Sequence, residues 1–140
     1  MHRITVREVE EIAFLIAQKK FSFNEPIPAF ATRFPNVLES CLETPFQTFD
    51  EKEFYPTFTA KLSILFYLMN KNHPFQNGNK RVAMTTLFFA LYETKKWIKT
   101  DTQTLYNFAV WVAESPPNAK DEVVQYVEKF IKTHMVPLEE

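Results

Sequence analysis

Residues 73–81 read His73-Pro74-Phe75-Gln76-Asn77-Gly78-Asn79-Lys80-Arg81, and they contain Gly78, the single glycine of the 140-residue chain. Pro74 disfavours a helical backbone at His73, so a helix arriving from the N-terminal side must end there. Gly78 accepts a left-handed conformation at no steric cost. Successive N–H groups around it can then converge on one concavity that suits an anion. A helix starting directly afterwards adds free N–H groups and the positive end of its dipole. Lys80 and Arg81 would crowd that positive end, an arrangement unfavourable to the helix unless a polyphosphate lies between them. His73 precedes the concavity and can act on a hydroxyl beside it. The same residues also suit a plain Asn-Gly turn between two helices, with Asn79 as N-cap and the cations in solvent. The residue types alone leave both readings open.

Outward from this stretch the chain is helical. Segment 57–72 is apolar on nearly every side and predicts a central helix buried all round. Segment 80–95 predicts a second, with Val82, Ala83, Thr86, Leu87, Ala90 and Leu91 on one face. Thr5-Val-Arg-Glu8 is a capping box, followed by Val9, Ile12, Ala13 and Ile16 at helical spacing. Another helix starts near Asn36 and is ended by Pro45. Further amphipathic helices are expected over 101–114 and 121–133, separated by Ser115-Pro-Pro. Residues 21–35 read as an irregular connection and 45–56 as a loop or short extended flap. With one glycine, a hairpin-rich all-β fold is disfavoured. The expectation is an all-α, compact bundle of about six helices in one domain, 1–140.

Composition sets the outer limits. Apolar residues are 46% and aromatics 16%, with fifteen Phe, enough for a core. A chain of this length buries about two thirds of its unfolded surface. The net charge is −1 with dispersed Lys and Arg, which argues against nucleic acid as a partner. Cys41 cannot form an internal disulfide and reads as a small buried hydrophobe. His2 and His134 read as solvated residues at a terminus and a helix end. No pair of histidines has metal-ligand spacing, which argues against structural zinc. Trp97 and Trp111 read as half-buried packing residues. No apolar run approaches the roughly 20 residues of a membrane span, and there is no signal-peptide pattern. A cytoplasmic location without membrane contact is expected.

The 73–81 stretch resembles the signature of the Fic/Doc family, His-Pro-Phe-x-(Asp/Glu)-Gly-Asn-(Gly/Lys)-Arg, at every fixed position except Asn77. The order of elements over residues 4–134 is similar too, with Asn36-Val-Leu-Glu-Ser-Cys-Leu-Glu-Thr-Pro45 and a Phe-rich flap ending Phe54-Tyr-Pro56. The resemblance implies His73 as general base, with Lys80 and Arg81 as the other catalytic residues. It implies nucleotide binding by Phe75 (the buried anchor of the loop), Asn77, Gly78, Asn79, Lys80 and Arg81. The position of Asn77 would hold Mg²⁺, and ATP or another nucleoside triphosphate would be the donor. The flap at 46–55 would clamp a target segment by strand addition.

Lys80 stands where AMP-transferring Fic enzymes carry Gly, and Met84 where they carry a further Arg. Both features look like the death-on-curing (Doc) toxins, which move a phosphate onto a Thr of elongation factor Tu. The implied activity is phosphate transfer to a hydroxyl of a target protein. Two other readings stand beside it: nucleotidyl (AMP) transfer, and a degenerate Fic fold that binds without turnover because Asn77 is uncharged. Fic proteins with a built-in inhibitory helix carry (Ser/Thr)-x-x-x-Glu. No Glu here has Ser or Thr four positions before it, so the implied inhibitor is a separate antitoxin polypeptide.

Overall fold

A computed structural model describes residues 1–20 and 26–139. Its centre is two consecutive helices, α4 (Phe58–Lys71) and α5 (Asn79–Glu93), which pack on each other on either side of the 72–78 loop. Around them lie α1 (Val6–Glu8), a π-helical segment (Val9–Phe14) and α2 (Leu15–Lys20), which form one rod, then α3 (Pro35–Glu43), α6 (Thr102–Glu114) and α7 (Lys120–His134). Counting the rod once, six helical bodies surround one cluster of buried residues running from Ile4 to Ile131. The mostly-α bundle expected from the sequence is present.

Helix α4 has Thr57 as N-cap, its side chain accepting from Ala60 N, and every residue from Lys61 to Asn70 is buried. Helix α5 departs from the one-faced pattern expected of it. Arg81 to Leu87 are all buried, because the rod covers one side of α5 while α4 and α6 cover others. Helix α3 has Pro35 in its first turn, where the missing N–H costs nothing, and a 3-10 turn, Thr44–Phe46, carries the predicted stop at Pro45.

The capping box at Thr5 and Glu8 is formed, but only Val9 and Ala13 of the face its spacing predicts are buried. Val9, Ala13, Phe14 and Ala17 are buried, while Ile12 and Ile16 stay 37% and 41% exposed. The π segment adds about one residue to a turn, and this rotates Phe14 inward and Ile16 outward. Of the connection predicted over 21–35, residues 21–25 lie outside the described part. The remainder holds a 3-10 turn, Phe30–Thr32, with Ile27 and Phe30 buried.

Two short antiparallel ribbons complete the fold. The flap is a hairpin, β1 (Thr48–Phe49) with β2 (Lys52–Glu53), paired Thr48 to Glu53 and Phe49 to Lys52. Asp50 and Glu51 turn it at φ +51° and +65°, so a two-residue turn of the kind usually given to Asn-Gly is made without glycine. The other ribbon, β3 (Lys96–Ile98) with β4 (Met135–Pro137), is not anticipated by the sequence pattern. It fastens the end of α7 beside the end of α5. No helix of the described residues is long and apolar enough to cross a membrane.

Lys61 ties the flap to α4. Its side chain is 9% exposed and Nζ donates to Glu53 Oε1 at 2.9 Å and to the Tyr55 carbonyl. Replacing Lys61 by Met keeps the apolar stem and leaves Glu53, itself 46% exposed, in water. The Lys61→Met variant is expected to melt within a few degrees of wild type, since a well-packed apolar substitute for a buried ion is often neutral. Amide exchange over 47–56 should nevertheless accelerate by tenfold or more, roughly the 1.4 kcal/mol of one lost charge-assisted bond. Unchanged exchange there would mean that the hairpin is held by other contacts.

Candidate functional site

The 72–78 loop is pinned to the core by Phe75, 3% exposed, whose ring lies 5.3 Å from Phe14 and 5.8 Å from Phe30. Phe34 N donates to the Pro74 carbonyl at 2.8 Å, so the 30–34 segment backs the loop from behind. Asn79 is 8% exposed, with Oδ1 accepting from Phe75 N and Nδ2 donating to Phe75 O, both at 2.9 Å. These partners settle the orientation of the amide, since an N–H can only donate and a carbonyl only accept. Asn79 is therefore the first residue of α5 rather than its N-cap, and its side chain holds the loop closed instead of reaching outward.

The N-cap position belongs to Gly78, at φ +80°. A Cβ there would stand 2.7 Å from Ile27 Cγ1 and 3.3 Å from Arg81 Nη2. Glycine is thus required both by the left-handed backbone and by the close approach of Ile27. Arg81 is 4% exposed and its guanidinium lies over Gly78. Burial separates it from Lys80, which is half-buried and makes no ion pair or hydrogen bond among the described residues. The two cations are not equivalent, as their adjacency in the sequence suggests: one lines the nest and the other guards its mouth.

His73 is exposed with φ +50°, a conformation rare for a residue carrying a Cβ and costing on the order of 1–3 kcal/mol. Pro74 does move it out of the right-handed helical region, into the left-handed one rather than the extended one. Its Nδ1 lies 3.4 Å from Asn79 Nδ2. Because Nδ2 carries the amide hydrogens, Nδ1 is the acceptor in this contact and Nε2 faces away from Asn79. Asn77 Oδ1 accepts from Gly78 N at 2.8 Å, so an oxygen of the loop itself already occupies one N–H of the nest.

Phosphate oxygens fit here: the mouth offers the N–H groups at the start of α5, the left-handed Gly78, Lys80 and the Arg81 guanidinium. A divalent cation fits less well. No carboxylate stands in the 73–81 loop, and Asn77 offers a neutral oxygen turned toward Gly78, whereas Mg²⁺ is usually held by one or two carboxylates with substrate phosphates.

The remaining conspicuous residues lie elsewhere. Cys41 is fully buried and burial pushes its thiol up to about 12, which removes it as a nucleophile. Trp97 and Trp111 stack on Phe88 and Phe108 and keep 38% and 44% exposure. His134 is half-buried, its ring tilted against Phe130 at 4.3 Å with Nδ1 donating to the Phe130 carbonyl at 2.8 Å, and so is less solvated than its helix-end position suggests. His2 is exposed, yet its Nε2 sits 3.2 Å from Glu8 Oε2.

A mostly helical fold whose central helix pair is joined by a glycine-centred loop, with a histidine at its entry and cations at its exit, is the arrangement that the sequence resemblance implies. In agreement, the Fic/DOC family profile matches residues 1–91, and the chain belongs to that family. Membership indicates transfer of a nucleotide-derived group to a protein. No curated protein and no solved structure gave a significant match.

The demand on Gly78 is testable. Gly78→Ala places a Cβ against Ile27 in a left-handed backbone and is expected to lower stability by about 1–3 kcal/mol in urea denaturation. Nucleotide binding should weaken in the same variant. A Gly78→Ala protein as stable as wild type would mean that the loop relaxes without cost.

Proposed function

We propose that this chain is a Doc-like phosphotransferase, a cytoplasmic toxin that moves a phosphate from a nucleoside triphosphate to a hydroxyl of a target protein. The observation that carries the reading is Lys80: a cation with no partner among the described residues, at the positive end of α5, beside a loop that opens with His73-Pro-Phe. Without an anion this Lys opposes the helix dipole; a polyphosphate gives it a counter-charge. Phosphoryl transfer asks little more of the protein than positioning and charge stabilisation. Arg81 and the N–H groups of the nest hold the phosphates, and Lys80 faces the group in flight. Asn77 and Asn79 line the same loop, and Phe75 anchors it.

His73 takes the proton from the attacking hydroxyl. While Asn79 donates to Nδ1, the neutral ring keeps its proton on Nε2. The base therefore needs the ring to leave the 3.4 Å contact, or to change tautomer, as the target docks. The flap around 46–55 supplies an exposed edge for a target strand, with Phe49 and Phe54 at 74% and 59% exposure. Elongation factor Tu is the target to test first. A separate antitoxin is the inhibitor this reading requires, and residues 1–140 act as one Fic/Doc unit. Bound Mg²⁺ would neutralise phosphate charge, reached by Asn77 alone among the 73–81 residues proposed to meet it.

The experiment is incubation of the protein with a target extract and ATP labelled in the γ or the α position. Label from the γ position alone is expected; α label would establish nucleotidyl transfer instead. His73→Ala should lower transfer by roughly 10²–10⁴-fold while leaving the melt intact. Wild-type turnover in that variant would remove His73 from the mechanism.

Asn77 gives a second reading its foothold, because a neutral side chain bonded to Gly78 N favours binding without turnover. Asn77→Asp supplies the missing charge and is expected to raise Mg²⁺-dependent transfer across a metal titration. Intact mass should be checked first, since Asn-Gly pairs deamidate to this same acid. If wild type and Asn77→Asp are both inactive while nucleotide still binds, the chain is a binding module.

A further inference from the structure

The start of the rod and the end of α5 meet at a second group of chemically capable side chains, remote in sequence from the 73–81 loop. A ring nitrogen of His2, a Glu8 carboxylate oxygen and a Glu93 carboxylate oxygen all lie within 4.8 Å of one another, the one such group of three among the described residues. Glu93 is brought to Glu8 from the far end of α5 by the packing of that helix on the rod. The arrangement is not a run of neighbouring acids.

From these three side chains we infer a binding site for a borderline divalent cation of the Zn²⁺ type, independent of the transfer site and of its nucleotide. Its geometry is already close. A tetrahedral ion bound at 2.0–2.2 Å sets its ligand atoms roughly 3.3–3.6 Å apart, and His2 Nε2 stands 3.2 Å from Glu8 Oε2, in a hydrogen bond that the ion would replace. Glu93 needs only a side-chain rotation, which its exposure permits. The Glu8 carboxylate is oriented in advance, because Oε1 accepts from Thr5 N at 2.9 Å and Thr5 Oγ1 at 3.2 Å. Oε2, which now accepts from His2 Nε2, would turn to the metal once that ring nitrogen gives up its proton, with Oε1 keeping the supporting hydrogen bonds typical of ligating carboxylates.

Charge points the same way. Glu93 is the last residue of α5, at the negative end of its dipole, where an anion is unfavourable and a cation favourable. Among the described residues it makes no ion pair or hydrogen bond. Of the arginines near His2 and Glu8 in the chain, Arg7 pairs with Glu11 at 3.0 Å and Arg3 lies over the Phe46 ring. A neutral imidazole facing two carboxylates gives a site with two negative charges. The imidazole nitrogen selects Zn²⁺-like ions over Mg²⁺ and Ca²⁺, which prefer all-oxygen sites. A bound ion would clamp the chain before α1 to the end of α5. The sequence spacing of histidines cannot reveal such a site, since it uses one histidine with two acids from separate segments.

Isothermal titration of ZnCl₂ into the full chain, free of any histidine tag and of nucleotide or phosphate, tests this. One Zn²⁺ per chain is expected, with affinity at least about tenfold weaker in His2→Gln and in Glu93→Gln. Both positions are exposed, so neither change threatens the fold. His73→Ala and His134→Gln should bind as wild type does, and excess Mg²⁺ should not compete. No saturable binding would overturn the inference, as would equal affinity in His2→Gln and Glu93→Gln. Loss of the ion in His73→Ala would overturn it too, placing the metal in the transfer site.

Discussion

The Asn79 amide grips both polar backbone groups of Phe75, and the form of the 72–78 loop depends on that grip. Phe75 is pulled inward by Phe14 and Phe30, which carries its N–H and C=O out of reach of water. Each would cost about 1–3 kcal/mol if left unpaired. Asn79 satisfies the two at once with one side chain that is itself the first residue of α5. Hydrophobic anchoring and polar satisfaction thus act on the same residue, and the loop between α4 and α5 is held in one shape. The consequences run both ways along the chain. Toward the N-terminus, the turn is forced on His73, which takes a left-handed backbone at the cost of strain. Toward the C-terminus, the turn falls on Gly78, where Ile27 leaves no room for a Cβ.

That geometry also explains why adjacent residues have different environments. Lys80 and Arg81 are separated by about 100° around the axis of α5. One points into the covered side, over Gly78, and is buried; the other is left half-buried at the mouth. A guanidinium tolerates burial better than an ammonium because it is more weakly hydrated and offers its donors in a fixed fork. The flexible ammonium is the better choice where the counter-charge comes and goes.

Much of this was legible in the residues because it rests on local rules. The largely apolar 57–72 stretch, the capping box at Thr5 and the need for a left-handed residue at the single glycine each follow from local rules, and the structure bears them out. What was not legible depends on partners distant in sequence or on small changes of helical pitch. A π turn leaves no mark in the residue pattern, yet it exchanges Phe14 for Ile16 in the core. The Asp50-Glu51 turn violates residue preference, and the flap is instead held by Lys61 of α4. The β3–β4 ribbon pairs segments far apart in the chain, each too short to show alternation. In the site, residue types suggested that Asn79 would cap a helix, whereas Gly78 holds the N-cap position and the Asn79 amide bonds the two backbone groups of Phe75.

Asn77 presents the remaining tension in the loop. The nest contains N–H groups that need acceptors, and Asn77 Oδ1 meets one of them at Gly78. A phosphate must therefore displace this oxygen before it can use that N–H, and the amide must find a new partner in water. Because the amide is neutral, the displacement meets no charge repulsion. A carboxylate at the same position would hold the nest more strongly and would repel an incoming phosphate unless a cation arrived with it. The neutral residue thus weakens dependence on the metal and the hold on it together. On the proposed function, nucleotide entry without a cation would be easier, and a bound metal would be held by the phosphates more than by the protein.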